Sequence, residues 1–377
     1  MRLPRVIPIF RRNNYEDEEP DIIAMRESAK RGRQRCGMLL ATCFVIAVAA
    51  AASSVWSTQW KDREFDSLVP PPAPLQPIPS PPASSGTTPP APTPEGLPNV
   101  GCNGLTDLCT TPLNEIVFAT AHNAAATADV QIVAPNHDRS MLEALRFGYR
   151  GLNMDLGLCN GELKLVHTTC ALGTDDPAAR FQEIADFITN ERPNDVLMIT
   201  LELNQESGGP FSVDFVAGWI ESRVPDFAQL LFRGNGLGNG VWPTPNAIRA
   251  AGRAIALFHY GAEGCGADCP VGYLPWFQYA VETPFSFDTT TELFQNPTTS
   301  CAITRGGQGT GDLYGVNVFT RIPSSYTCQE LNSPDRLQAH LQACAQETGR
   351  RVTMVLVDCW DQGDVLSVVQ QLNSGTV

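Results

Sequence analysis

Two histidines and a small set of oxygen-bearing side chains fall at the ends of apolar, β-rich runs, where a fold could gather them. The run 115–122 closes on His122, followed by Asn123. The run 150–158 carries Asn153 and Asp155, two apart and therefore on one face of a strand. The run 162–167 closes on His167, the run 195–203 delivers Glu202 with Asn204 just beyond, and the run 351–360 carries Asp358 near its end. Paired imidazoles can take a proton from one oxygen and return one to another near neutral pH. Carboxylates and amides grouped beside them can hold a hard cation against an anionic oxygen. An acid–base pair with a cation at a phosphate is what phosphoryl transfer requires.

Such residues need a scaffold that brings strand ends together. Further apolar runs lie at 254–259, 279–287 and 313–320, giving eight in all. Helical periodicity falls at 140–147, 177–191, 213–222, 245–251, 335–348 and 364–372. The alternation predicts an α/β fold, an irregular (β/α)8 TIM-type barrel over residues 101–377. Working residues of such barrels sit at the C-terminal ends of the strands. No helix is readable between the second and third strands or over 288–312, so the barrel is expected to be irregular there.

The remaining chain reads differently. Residues 1–36 are polar and charged and end in the basic cluster Lys30, Arg31, Arg33 and Arg35, predicting a disordered cytoplasmic tail. Residues 37–56 carry no charge and are long enough to cross a bilayer. With the basic cluster on the cytoplasmic side, they predict a type II signal-anchor, its C-terminal bulk outside the cell or in a secretory lumen. The small residues of AVAAAASS also suit a cleaved signal peptide. Residues 57–100 are proline-rich and predict a semi-extended stalk.

Forty Asp and Glu against 26 Lys and Arg argue against a nucleic-acid partner. Lys164 is the only lysine after residue 61, so an anionic substrate must be gripped by a few arginines or a metal. Ten of the 12 cysteines lie at or beyond Cys102, as suits an oxidising compartment. Proximity suggests the pairs Cys102–Cys109, Cys159–Cys170, Cys265–Cys269 and Cys328–Cys344, leaving Cys301 for Cys359. Spacing alone does not fix connectivity.

In order and spacing, several segments resemble the catalytic X domain of phosphoinositide phospholipases C. ATAHN is similar to its first histidine motif, FGYRGLNMD to its arginine–acid segment, KLVHTTC to its second histidine and DVLMITLEL to the strand bearing a metal-binding glutamate. CNGLTDLC, VWPTPNAIRAAGR and VLVDCWDQGD resemble a secreted or anchored fungal and plant subgroup of phospholipase-C-like phosphodiesterases. The resemblance implies that His122 acts at the attacking hydroxyl and that His167 protonates the leaving alkoxide. It implies that Asn123, Asp155 and Glu202 hold Ca²⁺, and it makes Asn153, Arg150, Lys164 and Asp358 further candidates. Asn153 stands where animal relatives have a glutamate ligand. The substrate implied is a membrane phosphatidylinositol-like lipid or a lipid-linked phosphodiester. A glycerophosphodiester-type enzyme and a catalytically weak surface-binding module are the competing readings.

Three other histidines carry no motif: His259 reads as structural, and His137 and His340 as surface residues. The glycine-rich stretches 233–240 and 305–312 lack the context of a phosphate loop and read as mobile loops. The aromatic run 272–279 reads as core packing.

Overall fold

The computed structural model describes residues 97–375, apart from 131, 205–208, 235, 236, 238–240, 262–264, 266–268 and 308–310. The tail, the apolar segment 37–56 and the stalk up to residue 96 lie outside the described residues. Among the described residues no helix is long and apolar enough to cross a membrane.

Among the described residues, eleven strands form one sheet. They are β1 (Phe118–Ala121), β2 (Gly151–Cys159), β3 (Glu162–His167), β4 (Thr169–Asp175), β5 (Leu197–Leu203), β6 (Ile255–Tyr260), β7 (Tyr273–Pro275), β8 (Ala280–Glu282), β9 (Arg305–Gly306), β10 (Leu313–Val318) and β11 (Met354–Val357). Eight run parallel in the order β7-β6-β5-β2-β1-β11-β10-β8. The sheet curls enough for the ends of β1, β2, β5, β6, β8 and β10 to line one cavity. No pairing joins β7 to β8 among the described residues. The expected barrel is therefore a curled α/β sheet with a seam, bridged in sequence by the short helix Trp276–Tyr279.

The staves differ from expectation in two places. Residues 162–167 are not a barrel strand. They return antiparallel along β2, with Asp155 opposite Val166. The turn is Asn160-Gly161, both at positive φ (52° and 83°), a residue pair suited to a tight hairpin. This accounts for the missing helix between the second and third apolar runs. The eighth stave is instead β7, from the aromatic run whose core-packing role holds: Tyr273 and Trp276 are buried.

Alternation along the staves builds two apolar layers. Outward residues such as Leu152, Met154, Ile199, Leu201, Val316 and Val355 pack against Phe181, Ile184, Ile220, Leu341 and Val365 of the surrounding helices. Inward residues change character along each strand. Phe118, Met198, Phe258, Leu313 and Met354 plug the interior near the strand starts. Two or four residues further on, the same face carries Thr120, Thr200, Tyr260, Asn317 and Asp358. The apolar plug thus supports a polar mouth.

Among the described residues, five disulfides brace the fold. Cys102–Cys109, Cys159–Cys170 and Cys265–Cys269 pair as proximity suggests. The other two exchange partners: Cys301 bonds Cys344 and Cys328 bonds Cys359. The helix Pro334–Thr348 turns Cys344 inward onto the short helix Pro297–Ser300, which Cys301 terminates. Cys328, on the helix Ser325–Leu331, faces the loop leaving β11. Separation along the chain could not reveal which face of each helix packs inward.

Candidate active site

The mouth is a cavity of about 660 Å³ lined by both candidate histidines and by Asn123, Asn153, Asp155 and Glu202. β1 ends immediately before His122, whose ring stacks face to face on Phe319 at 3.7 Å between centroids. His122 Nδ1 lies 2.9 Å from Asp358 Oδ1, which also accepts from Asn136 Nδ2 at 2.8 Å. A carboxylate facing Nδ1 fixes the proton there and leaves Nε2 as the basic nitrogen. Asp358 therefore orients a histidine; it does not cap the following helix, whose N-cap is Asp364.

His167 reaches the mouth by an unexpected route. It ends the returning arm of the hairpin, where the β3–β4 register shifts, and the Cys159–Cys170 disulfide closes the hairpin. Burial lowers its pKa, and the nearby His122 lowers it further. The shift makes the imidazolium a stronger acid and the neutral ring the more populated form.

Asp155 and Glu202 are direct neighbours in the β2–β5 register and point into the same space. Burial, followed by the charge of Glu202, raises the Asp155 pKa well above the ordinary carboxylate range, against the pull of the Thr168 amide and Arg305. Asp155 Oδ1 is buried with no hydrogen-bond partner among the described residues. Two adjacent carboxylates with an unused buried oxygen match the donor set of a hard cation. Asn153 plays another part: its Nδ2 donates to Thr200 Oγ1 and Tyr260 Oη, and its Oδ1 accepts from the Asn123 amide. Its side chain holds neighbours in place.

Two further candidates lie elsewhere. Arg150 is buried at the start of β2, paired with Asp195 at 2.7 Å and donating to the Leu145 and Tyr149 carbonyls. Lys164 pairs with Glu162 on the hairpin and does not line the cavity.

Sequence reasoning missed Tyr260, Glu282 and Arg305. Tyr260 Oη donates to Glu202 Oε2 at 3.1 Å. Glu282 accepts from Trp276 Nε1 and from Arg305 Nη1. The Arg305 guanidinium lies over the rings of Tyr260, Phe277 and Phe285 at 4.7–5.0 Å. Strand parity could have found Tyr260: it shares the inward face of β6 with Phe258, whereas His259 faces outward. Outside the mouth, His259 Nε2 lies 3.6 Å from Cys265 Sγ, and burial lowers its pKa to about 4, consistent with a structural residue. Arg305 opens a stretch read as a mobile loop, yet Glu282 and three aromatic rings fix it. His137 and His340, expected at the surface, are both buried.

A family model described as PI-PLC X 1 matches residues 108–373. The chain belongs to that family. An uncharacterized secreted protein of Arthroderma benhamiae is 26% identical over 191 residues, covering 49% of this chain. The match takes in 40% of that relative's length, so the chain spans well under half of it. Among solved structures, the phosphatidylinositol-specific phospholipase C of Listeria monocytogenes is 12% identical with a TM-score of 0.49, covering 71% of this chain and 94% of that one. An S. aureus phosphatidylinositol-specific phospholipase C is 15% identical with a TM-score of 0.45, over 70% and 93% of the two chains.

Proposed function

We propose that this protein is a phosphoric diester hydrolase cleaving a phosphatidylinositol-like or other lipid-linked phosphodiester by acid–base catalysis between His122 and His167. The observation that carries the reading is one cavity lined by both imidazoles and by the adjacent carboxylates Asp155 and Glu202. His122, its Nδ1 facing Asp358, would take the proton of an attacking hydroxyl on Nε2. In a phosphatidylinositol that hydroxyl belongs to the inositol ring, and its attack forms a cyclic phosphate and breaks the bond to the glycerol oxygen. His167 would protonate that oxygen as it leaves. Asp155, Glu202 and Asn123 would hold Ca²⁺, which when bound supplies positive charge to the phosphate oxygens.

Among the described residues, Arg305 and Arg321 are the arginines lining the cavity, and Arg305 is engaged by Glu282. A headgroup with several ring phosphates would meet more carboxylates than cations, which favours a headgroup without them. Phe285 lines the cavity and Ile322 follows the lining residue Arg321; both are exposed and offer apolar contact to a lipid surface. Five disulfides suit an extracytoplasmic location. In the proposed arrangement residues 37–56 tether the domain as a type II anchor and residues 57–100 space it from the bilayer.

The test is assay of the full chain on phosphatidylinositol vesicles, with and without chelator, beside His122→Ala and His167→Ala. Soluble inositol cyclic phosphate should be released by the wild type alone. Full turnover in the double variant would refute the assignment.

A further inference from the structure

His137 is a buried imidazole that the proposed chemistry does not use. Its Nε2 lies 2.7 Å from the backbone carbonyl of His122, and its Nδ1 accepts from the Trp360 amide at 3.3 Å. Burial, opposed by the charge of Asp358, lowers its pKa to about 4. The ring is therefore neutral, and its two partners define the tautomer: Nε2 carries the hydrogen. The preceding residue makes the matching contacts. Asn136 Nδ2 donates to Asp358 Oδ1, and the Asn136 carbonyl accepts from the Cys359 amide at 2.9 Å. Both residues also donate their own amides to the Ala126 carbonyl.

These contacts join two loops distant in sequence, the one leaving β1 and the one leaving β11. Each contains a residue held at positive φ beside the reactive side chain: Asn123 at 47°, next to His122, and Cys359 at 47°, next to Asp358. Non-glycine residues reach that region at a cost and stay there only where surroundings hold them.

We propose that Asn136 and His137 are the positioning residues of His122, clamping its backbone against the loop that carries Asp358 so that Nδ1 meets the carboxylate and Nε2 faces the cavity. Asn136 acts through the carboxylate, by occupying the oxygen that His122 uses and holding it in the ring plane. His137 acts through the backbone, by tying the His122 carbonyl to the Trp360 amide. Neither touches the reacting atoms.

This inference rests on the proposed role of His122, so its test has one readout that needs turnover and one that does not. The full chain carries five histidines, and ¹⁵N-histidine labelling resolves their ring tautomers by NMR. His137→Phe keeps a ring and removes both hydrogen bonds; His137→Gln restores a donor and an acceptor. In the wild type the His122 signal should report the Nδ1–H tautomer alone. In His137→Phe it should become a tautomer mixture, with kcat on phosphatidylinositol vesicles lowered about 10²-fold, as expected of a misplaced catalytic group, and KM little changed. His137→Gln should recover the single tautomer and most of kcat. A folded His137→Phe protein with the wild-type tautomer and kcat would overturn the clamp. If His137→Phe does not fold, Asn136→Ala answers the same question through Asp358: it should produce the tautomer mixture, and a wild-type spectrum there counts against the clamp. A wild type with no turnover would overturn the proposed reaction, while the spectra would still decide the clamp.

Discussion

The two ends of the same strands treat charge in opposite ways. At their starts, Arg150 and Asp195 are both buried and pair with each other. The guanidinium pairs with Asp195 and donates to two carbonyls, and the other Asp195 oxygen accepts from the Asn103 amide at 2.6 Å. Asn103 in turn exchanges hydrogen bonds with the backbone of Val196, tying the segment before β1 to β5. At the strand ends, Asp155 and Glu202 are forced together, and buried oxygens of Asp155 and Asp358 have no partner among the described residues. An opposite-charge pair in the interior is costly to break, whereas like charges pressed together there invite a ligand or chemistry. Charge identity does not separate the two ends. The sign of the neighbouring charge does.

The largest expected effects test that contrast directly. His122→Ala and His167→Ala should each lower kcat on phosphatidylinositol about 10²–10⁴-fold and leave the denaturant midpoint near the wild-type value. Arg150→Met should do the reverse. Removing one partner of a buried ion pair costs about 3–5 kcal/mol, readable in urea titration, while kcat per folded molecule stays within a few-fold. An Arg150 variant that is stable yet inactive would erase the distinction between the ends.

A subtler pair of substitutions sharpens it. Asp155→Asn and Glu202→Gln relieve like-charge repulsion, which raises the Asp155 pKa along with burial. Each should leave stability unchanged or raise it by up to about 1 kcal/mol, yet lose most turnover. With Ca²⁺ in excess, the wild-type melting temperature should rise by mass action, and in either variant it should not. A chelator should lower wild-type turnover and leave the urea midpoint close to that of the ion-free protein. A Ca²⁺-induced rise that survives both substitutions would place the cation elsewhere.

The convergence of these residues on one cavity has a physical explanation. Parallel strands put like ends together, so residues at strand ends converge whatever the strand order. His122, Asp155, Glu202 and Asp358 were legible for that reason. His167 was legible by accident of length: the Asn160-Gly161 turn sends its strand back so that it ends level with the mouth. The stave β7 is only three residues long and contains a proline, leaving no alternation to detect. Arg305 and Glu282 meet across an antiparallel pair two residues long, which no periodicity announces. His137 and His340 looked exposed because their neighbours are polar. Burial there is set by the far partner, Trp360 for His137 and Phe294 with the Cys301–Cys344 bridge for His340.

The outlying imidazoles supply the smallest effect, and it has a definite sign. His137, His259 and His340 each fall from an ordinary pKa near 6.5 to about 4 on burial. Between those values the unfolded chain binds protons that the folded chain refuses, so stability must fall as the pH drops from about 6.5 towards 4. At about 1.4 kcal/mol per unit, each contributes up to about 3 kcal/mol. Asp155, Glu282 and Asp361 work the other way: burial raises each carboxyl, which takes up a proton in the folded state first, so acid favours folding there. Four lowered imidazoles, His167 included, stand against those three carboxyls, and the net slope should follow the imidazoles. Comparing urea unfolding at pH 7 and pH 5 should show the loss. Because His340 lies far from the mouth, His340→Leu should make the pH dependence shallower by about one proton without touching turnover. An unchanged slope in that variant would mean that the buried ring is charged after all.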